Sequence, residues 1–431
     1  MSIQPLRDID AAGNKPNIVL IVLDTMRVKN MHCYGYPKPT TPFLDKLAGE
    51  GTLFENHFVP GCWTLPSHVS MFTGLYPCTH RADMEHAYLD NTFSTWAEIC
   101  HALGYRTAAF NPNTWIRAAA ADRGFLLVDS CQAPADYEHG SRFAADRFAR
   151  WLADYRNDGT PFFAFLNFGD PHLPCQPPEP YLSDFLPGGV SPEDALAMSQ
   201  DPHKPMSGER TWSAKDWEIL EALNDGGVAT ADARAGAVYE TLSEEGRLDD
   251  TLFIVISDHG DVYNEHPPIM AHVMNVYDSC IHTPLIMRYP DTFDGGQRVP
   301  ALVQATDLLP TFLEMIGVNT DTPALAGIQG KSLIRALDGE VRDFIYAEDP
   351  FPWNEMERYK SYNPAFDGRP YYRFLRTVRD HDYKYIYSSR GDDELYRIRD
   401  DQDEQRNLIT TETEIAVRMR QQMELWLKTL P

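Results

Sequence analysis

Apolar runs separated by amphipathic segments make up the first 320 residues of the chain. Strongly apolar runs occupy 17–23, 162–168 and 251–257, and shorter ones occupy 105–110 and 284–290. Runs that are apolar at consecutive positions predict strands buried on both faces, as in parallel sheets. Helical spacing and glycine stops predict helices at 42–49, 65–73, 93–103, 141–155, 216–246 and 306–316. This alternation predicts an α/β fold with a doubly wound, mostly parallel central sheet flanked by helices.

The pattern changes near residue 370. Short alternating segments at 373–378, 383–387 and 394–398 are followed by an amphipathic stretch at 413–429. They predict a small antiparallel sheet closed by a helix. We therefore expect a catalytic α/β domain over 1–345 and a small C-terminal α+β subdomain over 346–431. The proline-rich segment 173–215 is predicted to be irregular and to form a wall of the functional site.

Composition narrows the function classes. The 431 residues carry a formal charge of -25, which argues against partners such as nucleic acids and anionic membranes. The seven cysteines are scattered without a CxxC pair, so they favour neither a disulfide framework nor a zinc ribbon. The N-terminal segment is polar and lacks a secretory apolar region, and the run 17–23 is too short to span a bilayer. We expect a cytoplasmic protein.

Three predicted strands end in residues that bind metals. Asp24 follows the first strand, Asp170 and His172 follow the run 162–168, and Asp258 and His259 follow the run 251–257. The carboxyl ends of parallel strands meet at one edge of a sheet, where ligands gather. Carboxylate and imidazole groups together suit a divalent cation. The sequence therefore predicts a metal site formed by Asp24, Asp258 and His259.

The segment CWTLPSHVSMFTG places Thr64 at the start of a short helix. The simplest interpretation is that Thr64 caps this helix. The alternative is that its hydroxyl completes the metal site and acts as a nucleophile beside a helix N-terminus. Among the histidines that follow Asp258, His282 is interpreted as structural. For His272, contact with a metal or leaving group and a structural role are weighted equally.

The ordered motifs NIVLIVLDTMR, CWTLPSHVSMFTGLYP, GYRTAAF, DPHLP and SDHGD resemble those of sulfatases, a branch of the alkaline phosphatase superfamily. The resemblance implies the doubly wound fold and attack on a sulfate, phosphate or phosphonate ester by a metal-bound residue. It assigns metal ligands to Asp24, Thr64, Asp258 and His259, and catalytic roles to Thr64, His172 and His272. It assigns substrate contacts to His68, Asn113 and Arg27.

Departures from the sulfatase pattern favour phosphorus chemistry. Sulfatases carry Cys or Ser at the nucleophile position and oxidise it to formylglycine, whereas Thr64 would give a ketone. His68 stands where sulfatases usually carry arginine, and Val273 replaces a lysine. Thr25 replaces a second metal-binding aspartate, which favours manganese or zinc, with calcium as an alternative and with one or two ions.

The resulting hypothesis is a metal-dependent hydrolase of phosphate or phosphonate esters, of the phosphodiester or phosphonate monoester type, with Thr64 as nucleophile. The alternatives are a sulfuric ester hydrolase that acts without formylglycine and a transferase that passes the phosphoryl group to an alcohol. An inactive binding protein is the least favoured. The expected partner is a small anionic ester. Assembly into a homo-oligomer is left open.

Overall fold

The computed structural model of the protein describes Leu6 and residues 11–131, 140–155, 158–319, 322, 325 and 327–430. Its strands are, in chain order, β1 Asn17–Leu23, β2 Thr52–Phe58, β3 Arg106–Phe110, β4 Leu127–Asp129, β5 Phe162–Phe168, β6 Thr251–Ile256, β7 Leu285–Arg288, β8 Gln297–Gln304, β9 Ile345–Asp349, β10 Leu375–Arg379, β11 Lys384–Ser388 and β12 Glu394–Tyr396.

Fourteen α-helices lie in the described part of the chain. They are α1 Pro42–Glu50, α2 Thr64–Thr73, α3 Pro77–His80, α4 Trp96–Ala102, α5 Thr114–Ala118, α6 Gly140–Ala153, α7 Tyr181–Phe185, α8 Pro192–Ala197, α9 His203–Ser207, α10 Ala214–Glu244, α11 Asp278–Ile281, α12 Leu308–Met315, α13 Trp353–Tyr362 and α14 Thr413–Leu427.

Eight strands form the large sheet, in the order β4-β3-β5-β1-β6-β7-β2-β8. Strand β7 is antiparallel to both of its neighbours, and the other pairs are parallel. Strands β5, β1 and β6 lie side by side, with Leu23 opposite Phe168 and Val22 opposite Ile256. The residues that follow these three strands therefore meet at one edge of the sheet.

Helices cover both faces of this sheet. Alternate residues of β1 point to opposite faces, as the period of a strand requires. Ile18, Leu20 and Val22 pack in one core with residues of α2, α4 and α12. Val19, Ile21 and Leu23 pack in a second core with residues of α1, α6 and α10. The predicted doubly wound α/β architecture is confirmed.

Three strands of the large sheet, β2, β4 and β8, are absent from the sequence prediction, and β4 has only three residues. In β2 the polar Glu55 and Asn56 interrupt the apolar run, and the pairing register with β8 shifts at this point. Strand β8 contains Pro300 and lies at the sheet edge, where a missing backbone N–H is tolerated. Polar residues within β2 and a proline within β8 make these two strands difficult to recognise from apolar runs alone.

The segment 173–215 is not irregular throughout, so that part of the prediction is wrong. It contains α7, α8 and α9, each with a proline at its N-cap or first turn: Pro180, Pro192 and Pro202. The first N–H groups of a helix have no intrahelical partner, so proline costs little there. The prolines that suggested irregular structure are thus compatible with short helices.

The C-terminal sheet is antiparallel, in the order β12-β11-β10-β9. Met419, Met423 and Trp426 of α14 share a core with residues of β10 and β11. This confirms the predicted small sheet and closing helix, while β9 was not anticipated. The backbone N–H of Glu348 in β9 donates to the carbonyl oxygen of Pro60, 3.0 Å away, and so contacts the loop before α2. The division of the chain at residue 345 stays a prediction.

Candidate active site

Thr64 is the first residue of α2 and does not cap it. The N-cap is Trp63, whose backbone is extended, and no side chain accepts a capping hydrogen bond at this helix. The Thr64 side chain is buried, and its Oγ1 lies 3.4 Å from His259 Nε2. The hydroxyl therefore faces the predicted metal ligands, and its roles as metal ligand and nucleophile stay predictions.

Three acceptor atoms converge beside Thr64. His259 Nδ1 lies 3.1 Å from the Gly260 carbonyl oxygen, so Nδ1 carries the hydrogen and Nε2 the lone pair. This Nε2 is 3.4 Å from Asp258 Oδ2 and 3.7 Å from Asp24 Oδ1. Within the described residues, neither carboxylate oxygen has a hydrogen-bond partner. Buried acceptors that face one another without a donor fit a bound cation.

The other carboxylate oxygens are fixed by donors. Asn113 Nδ2 donates to Asp24 Oδ2 over 3.0 Å, while Asn113 Oδ1 caps α5. The His259 backbone N–H donates to Asp258 Oδ1 over 3.0 Å. These contacts turn the free oxygen of each carboxylate toward His259. They are of the kind that orients metal ligands in proteins.

Burial perturbs the protonation of this group. Burial and the nearby charge of Asp24 raise the pKa of Asp258 well above its usual range. Burial, with His272 next, lowers the pKa of His259 well below its usual range. A neutral imidazole is the form that binds a metal, and a divalent cation would favour the ionised carboxylate. The residues present therefore fit the metal dependence expected of this site.

A second group of candidate ligands shares His259 with the first. His259, Asp261 and His272 each offer an atom within 4.8 Å of the others. His272 Nδ1 donates to Asp261 Oδ1 over 2.7 Å, and the His272 ring lies 5.6 Å from that of His172. Burial lowers the pKa of His272, but Asp261, Asp24 and Glu355 together raise it above its usual value. The structure thus brings His172 and His272 together beside the first group.

Asp261 was missed in the sequence analysis. It lies two residues after His259 in the motif SDHGD, and its side chain is buried. The signal was a second carboxylate within a motif that already held two predicted ligands.

A cavity of about 630 Å³ opens onto these residues. Thr64, Asn113, His172 and His272 line it, as the predicted roles require. Part of its wall is apolar: Trp63, Met84, Trp115, Leu173, Met270 and Val273. Another part is polar: Gln200, Asp201, His203, Glu355 and Arg358. Among the described lining residues, Arg358 is the only lysine or arginine.

The structure does not bring His68 or Arg27 to this cavity. His68 is fully buried, its Nδ1 donates to the Thr64 carbonyl oxygen over 2.8 Å, and its ring packs against Phe72 and Phe165. The Arg27 guanidinium contacts Glu265 at 2.8 Å and lines a different pocket. The predicted substrate contacts of these two residues therefore do not agree with their positions.

Carboxylates, an imidazole and a hydroxyl at the carboxyl edge of a doubly wound sheet define the site of a metal-dependent hydrolase. The comparisons give the family. A family model described as Sulfatase matches residues 16–318, and a model described as N-sulphoglucosamine sulphohydrolase, C-terminal, matches residues 272–429. The chain belongs to the sulfatase family within the alkaline phosphatase superfamily and is an ester-hydrolysing enzyme.

Curated relatives align over most of the chain. An arylsulfatase of Clostridium perfringens (strain 13 / Type A) is 24% identical, covering 92% of this chain and 91% of the relative. An ulvan-active sulfatase of Formosa agariphila is 26% identical, covering 92% of this chain and 77% of the relative.

Solved structures share the fold. The phosphonate monoester hydrolase of Agrobacterium radiobacter has a TM-score of 0.72 at 24% identity and covers 96% of this chain and 95% of its own. The putative sulfatase yidJ of Bacteroides fragilis has a TM-score of 0.76 at 18% identity, covering 97% of both chains. At these identities the structures establish the fold, and the substrate must be argued from the site.

The described part of the chain contains no helix with the length and apolar character needed to cross a bilayer. The cytoplasmic location and the oligomeric state stay predictions.

Proposed function

We propose that this enzyme hydrolyses phosphonate monoesters or phosphodiesters with Thr64 as its nucleophile. The observation that carries the proposal is the position of Thr64 Oγ1, 3.4 Å from His259 Nε2 and facing the group of Asp24, Asp258 and His259. A threonine carries a methyl group on Cβ, so it has no route to the formylglycine aldehyde of sulfatases. Its hydroxyl must act directly.

Asp24, Asp258, His259 and the Thr64 hydroxyl are the residues that would hold the divalent cation. When bound, this cation would lower the pKa of the Thr64 hydroxyl and balance charge on the ester oxygens. Two carboxylates, one imidazole and one hydroxyl favour Mn²⁺ or Zn²⁺ over Ca²⁺, which takes six to eight oxygen ligands. The group His259, Asp261 and His272 leaves room for a second ion.

The reaction proposed for the side chains has two displacements. Thr64 Oγ1 loses its proton to solvent and attacks phosphorus, a threonine ester forms, and the bond from phosphorus to the leaving alcohol oxygen breaks. His272, whose pKa is raised, and His172 lie where they can give a proton to the leaving oxygen. Water then hydrolyses the threonine ester, which releases the phosphonate or phosphate monoester and restores the hydroxyl.

The cavity wall supports an ester with two organic groups. A phosphonate monoester or phosphodiester carries an organic group on each side of phosphorus, whereas a sulfate or phosphate monoester carries only one. The wall offers an apolar part around Trp63 and Trp115 and a separate polar part around His203 and Glu355.

Sulfate ester hydrolysis is the second candidate, because the curated relatives include an arylsulfatase and ulvan-active sulfatases. The phosphonate monoester hydrolases from Agrobacterium radiobacter and Silicibacter pomeroyi, among the structural neighbours, are compatible with the first candidate. Thr64 stands where sulfatases carry the Cys or Ser that they oxidise to formylglycine, and this favours hydrolysis of a phosphorus ester over that of a sulfate ester.

The test compares p-nitrophenyl phenylphosphonate, bis-p-nitrophenyl phosphate, p-nitrophenyl phosphate and p-nitrophenyl sulfate, each with added Mn²⁺ or Zn²⁺. We expect the first two to have the higher kcat/KM. The Thr64→Ala variant is expected to lose turnover while its metal content, measured by elemental analysis, stays near that of the wild type. Faster hydrolysis of the sulfate, or turnover retained by the variant, would contradict the proposal.

A further inference from the structure

One part of the cavity wall has hydrogen-bonding groups that the reaction leaves unused. His203 at the start of α9 and Glu355 in α13 line the cavity, as do Asp201 and Arg358. We refer to His203, Glu355 and Arg358 as the α9–α13 wall. Their contacts with one another indicate which kind of alcohol the cavity accepts.

The ring of His203 is held in one orientation. Its Nδ1 lies 2.7 Å from Asp201 Oδ1, and the hydroxyl of Tyr362 donates to Asp201 Oδ2 over 2.7 Å. The rings of Tyr359 and Tyr362 lie on either side, each with its centroid 5.5 Å from that of His203. Because a carboxylate only accepts, Nδ1 carries a hydrogen and Nε2 is the atom left to contact other groups.

Nε2 of His203 faces a second carboxylate. It lies 3.4 Å from Glu355 Oε2, and both side chains are close to nine-tenths buried, with 12% and 13% exposed. The two atoms form an ion-pair contact without a hydrogen bond between them, so Glu355 Oε2 stays available to accept from a hydroxyl group of a bound molecule. Arg358 lies one helical turn after Glu355 on α13 and also lines the cavity, and its guanidinium is a hydrogen-bond donor. The wall thus presents acceptors and a donor side by side.

A hydroxyl group both donates and accepts a hydrogen bond, so a pair of neighbouring hydroxyls suits this arrangement. We propose that the α9–α13 wall binds hydroxyl groups of the alcohol part of the ester, so that the enzyme prefers esters of vicinal diols to esters of simple alkyl alcohols. The inference rests on the proposed function and names its substrate class. Glu355 is the specificity-determining residue, since its carboxylate accepts from the diol.

An ammonium group on the alcohol could also donate hydrogen bonds to the acceptors of the wall. It has no lone pair to accept a hydrogen bond from Arg358, however, and the positive guanidinium repels it. The apolar wall at Trp63 and Trp115 suits the other substituent of phosphorus, which does not need hydrogen bonds. These two points favour a neutral diol in the leaving alcohol.

The test measures kcat/KM for the phenylphosphonate monoesters of glycerol, 1-propanol and 3-aminopropanol, with release of phenylphosphonate followed by chromatography. We expect the wild type to prefer the glyceryl ester to the propyl ester by about 10- to 100-fold, the range of one or two hydrogen bonds to charged groups. Glu355→Gln is expected to lower the ratio of kcat/KM for the glyceryl ester to that for the propyl ester about ten-fold, because a change that acts through His272 affects both esters alike. The retained propyl activity shows that the variant is folded.

Glu357 provides a matched control. It lies on the same helix, its side chain is 81% exposed, and it is outside the cavity wall. Glu357→Gln is expected to keep the wild-type preference. Equal kcat/KM values for the glyceryl and propyl esters in the wild type, a preference for the aminopropyl ester, or an unchanged preference in Glu355→Gln would overturn the inference alone. No hydrolysis of any of the three esters by the wild type would overturn the proposed function and this inference with it.

Discussion

Lys384 is fully buried between two carboxylates, and its replacement tests the electrostatic link between the small sheet and the loop after the active site. Its Nζ lies 2.8 Å from Asp278 Oδ1 and 2.8 Å from Glu404 Oε1. Asp278 belongs to α11, six residues after His272. Lys384→Met keeps the length and volume of the side chain but leaves Glu404 without its cation, while Asp278 keeps Arg379, whose Nε lies 3.0 Å from Asp278 Oδ2. Removing one partner of a buried ion pair costs about 3–5 kcal/mol.

Neutralising Glu404 should reverse part of the loss in free energy of unfolding caused by Lys384→Met. Burial raises the pKa of Glu404 to about 8 even though Lys384 opposes the shift. Without Lys384 this pKa rises further, so Glu404 keeps its proton to a higher pH than in the wild type, which limits its repulsion of Asp278. The double variant Lys384→Met/Glu404→Gln replaces the Glu404 carboxylate with a neutral amide, which removes its repulsion of Asp278. We expect its free energy of unfolding to be about 1–3 kcal/mol higher than that of Lys384→Met.

The assay is urea unfolding followed by tryptophan fluorescence, with the free energy of unfolding compared between variants. Lys360→Met is the control, because Lys360 is 53% exposed and its Nζ lies 3.7 Å from Glu357. A surface pair of this kind contributes about 0–1 kcal/mol. If Lys384→Met is no more destabilising than Lys360→Met, the buried pair does not hold the two parts together as the structure implies.

Three further predictions concern single side chains. Asp261→Asn removes the carboxylate that orients His272, and we expect kcat/KM to fall about 10- to 100-fold. Because His272 gives a proton and Asp261 helps to raise its pKa, the alkaline limb of the pH profile should shift to lower pH, and an unchanged profile would contradict this role. Trp115→Ala removes a 53% exposed ring from the apolar wall and is expected to raise KM for phenylphosphonate esters about 2- to 10-fold with little change in kcat. Burial raises the pKa of Asp232 to about 7. Asp232 therefore adds to the free energy of unfolding below its unfolded pKa of about 4. This contribution, at most about 4 kcal/mol, is lost as pH rises to about 7. Urea unfolding of Asp232→Asn across that pH range should give a shallower decline, and a decline as steep as that of the wild type would refute the assignment.

Much of the fold and of the metal site could be predicted from the chain alone. Strands β1, β5 and β6 are fully buried, so nearly all of their residues are apolar, and Asp24, Asp170 and Asp258 follow soon after their ends. Because parallel strands align their carboxyl ends, local patterns were enough to bring distant residues together. Asp24, Asp258 and His259 indeed meet within 4.8 Å.

Other features depend on long-range contacts that no local pattern records. Strand β8 lies at the edge of the sheet and pairs with β2 alone. Helices α9 and α13 contact each other although about 150 residues of sequence separate them, so no short motif indicates the α9–α13 wall. The substrate contacts assigned to His68 and Arg27 came from their places in motifs. A motif gives the position of a residue along the chain, whereas the packing of α2 decides that His68 points into the core.

The most direct test of the central claim is to look for the covalent intermediate on Thr64. The enzyme is mixed with excess p-nitrophenyl phenylphosphonate, quenched in acid within the first turnovers and digested for mass spectrometry. The account predicts a phenylphosphonyl group on the peptide that contains Thr64, absent from Thr64→Ala. Turnover at the wild-type rate with no adduct on that peptide, and a Thr64→Ala variant that still hydrolyses the ester, would contradict it.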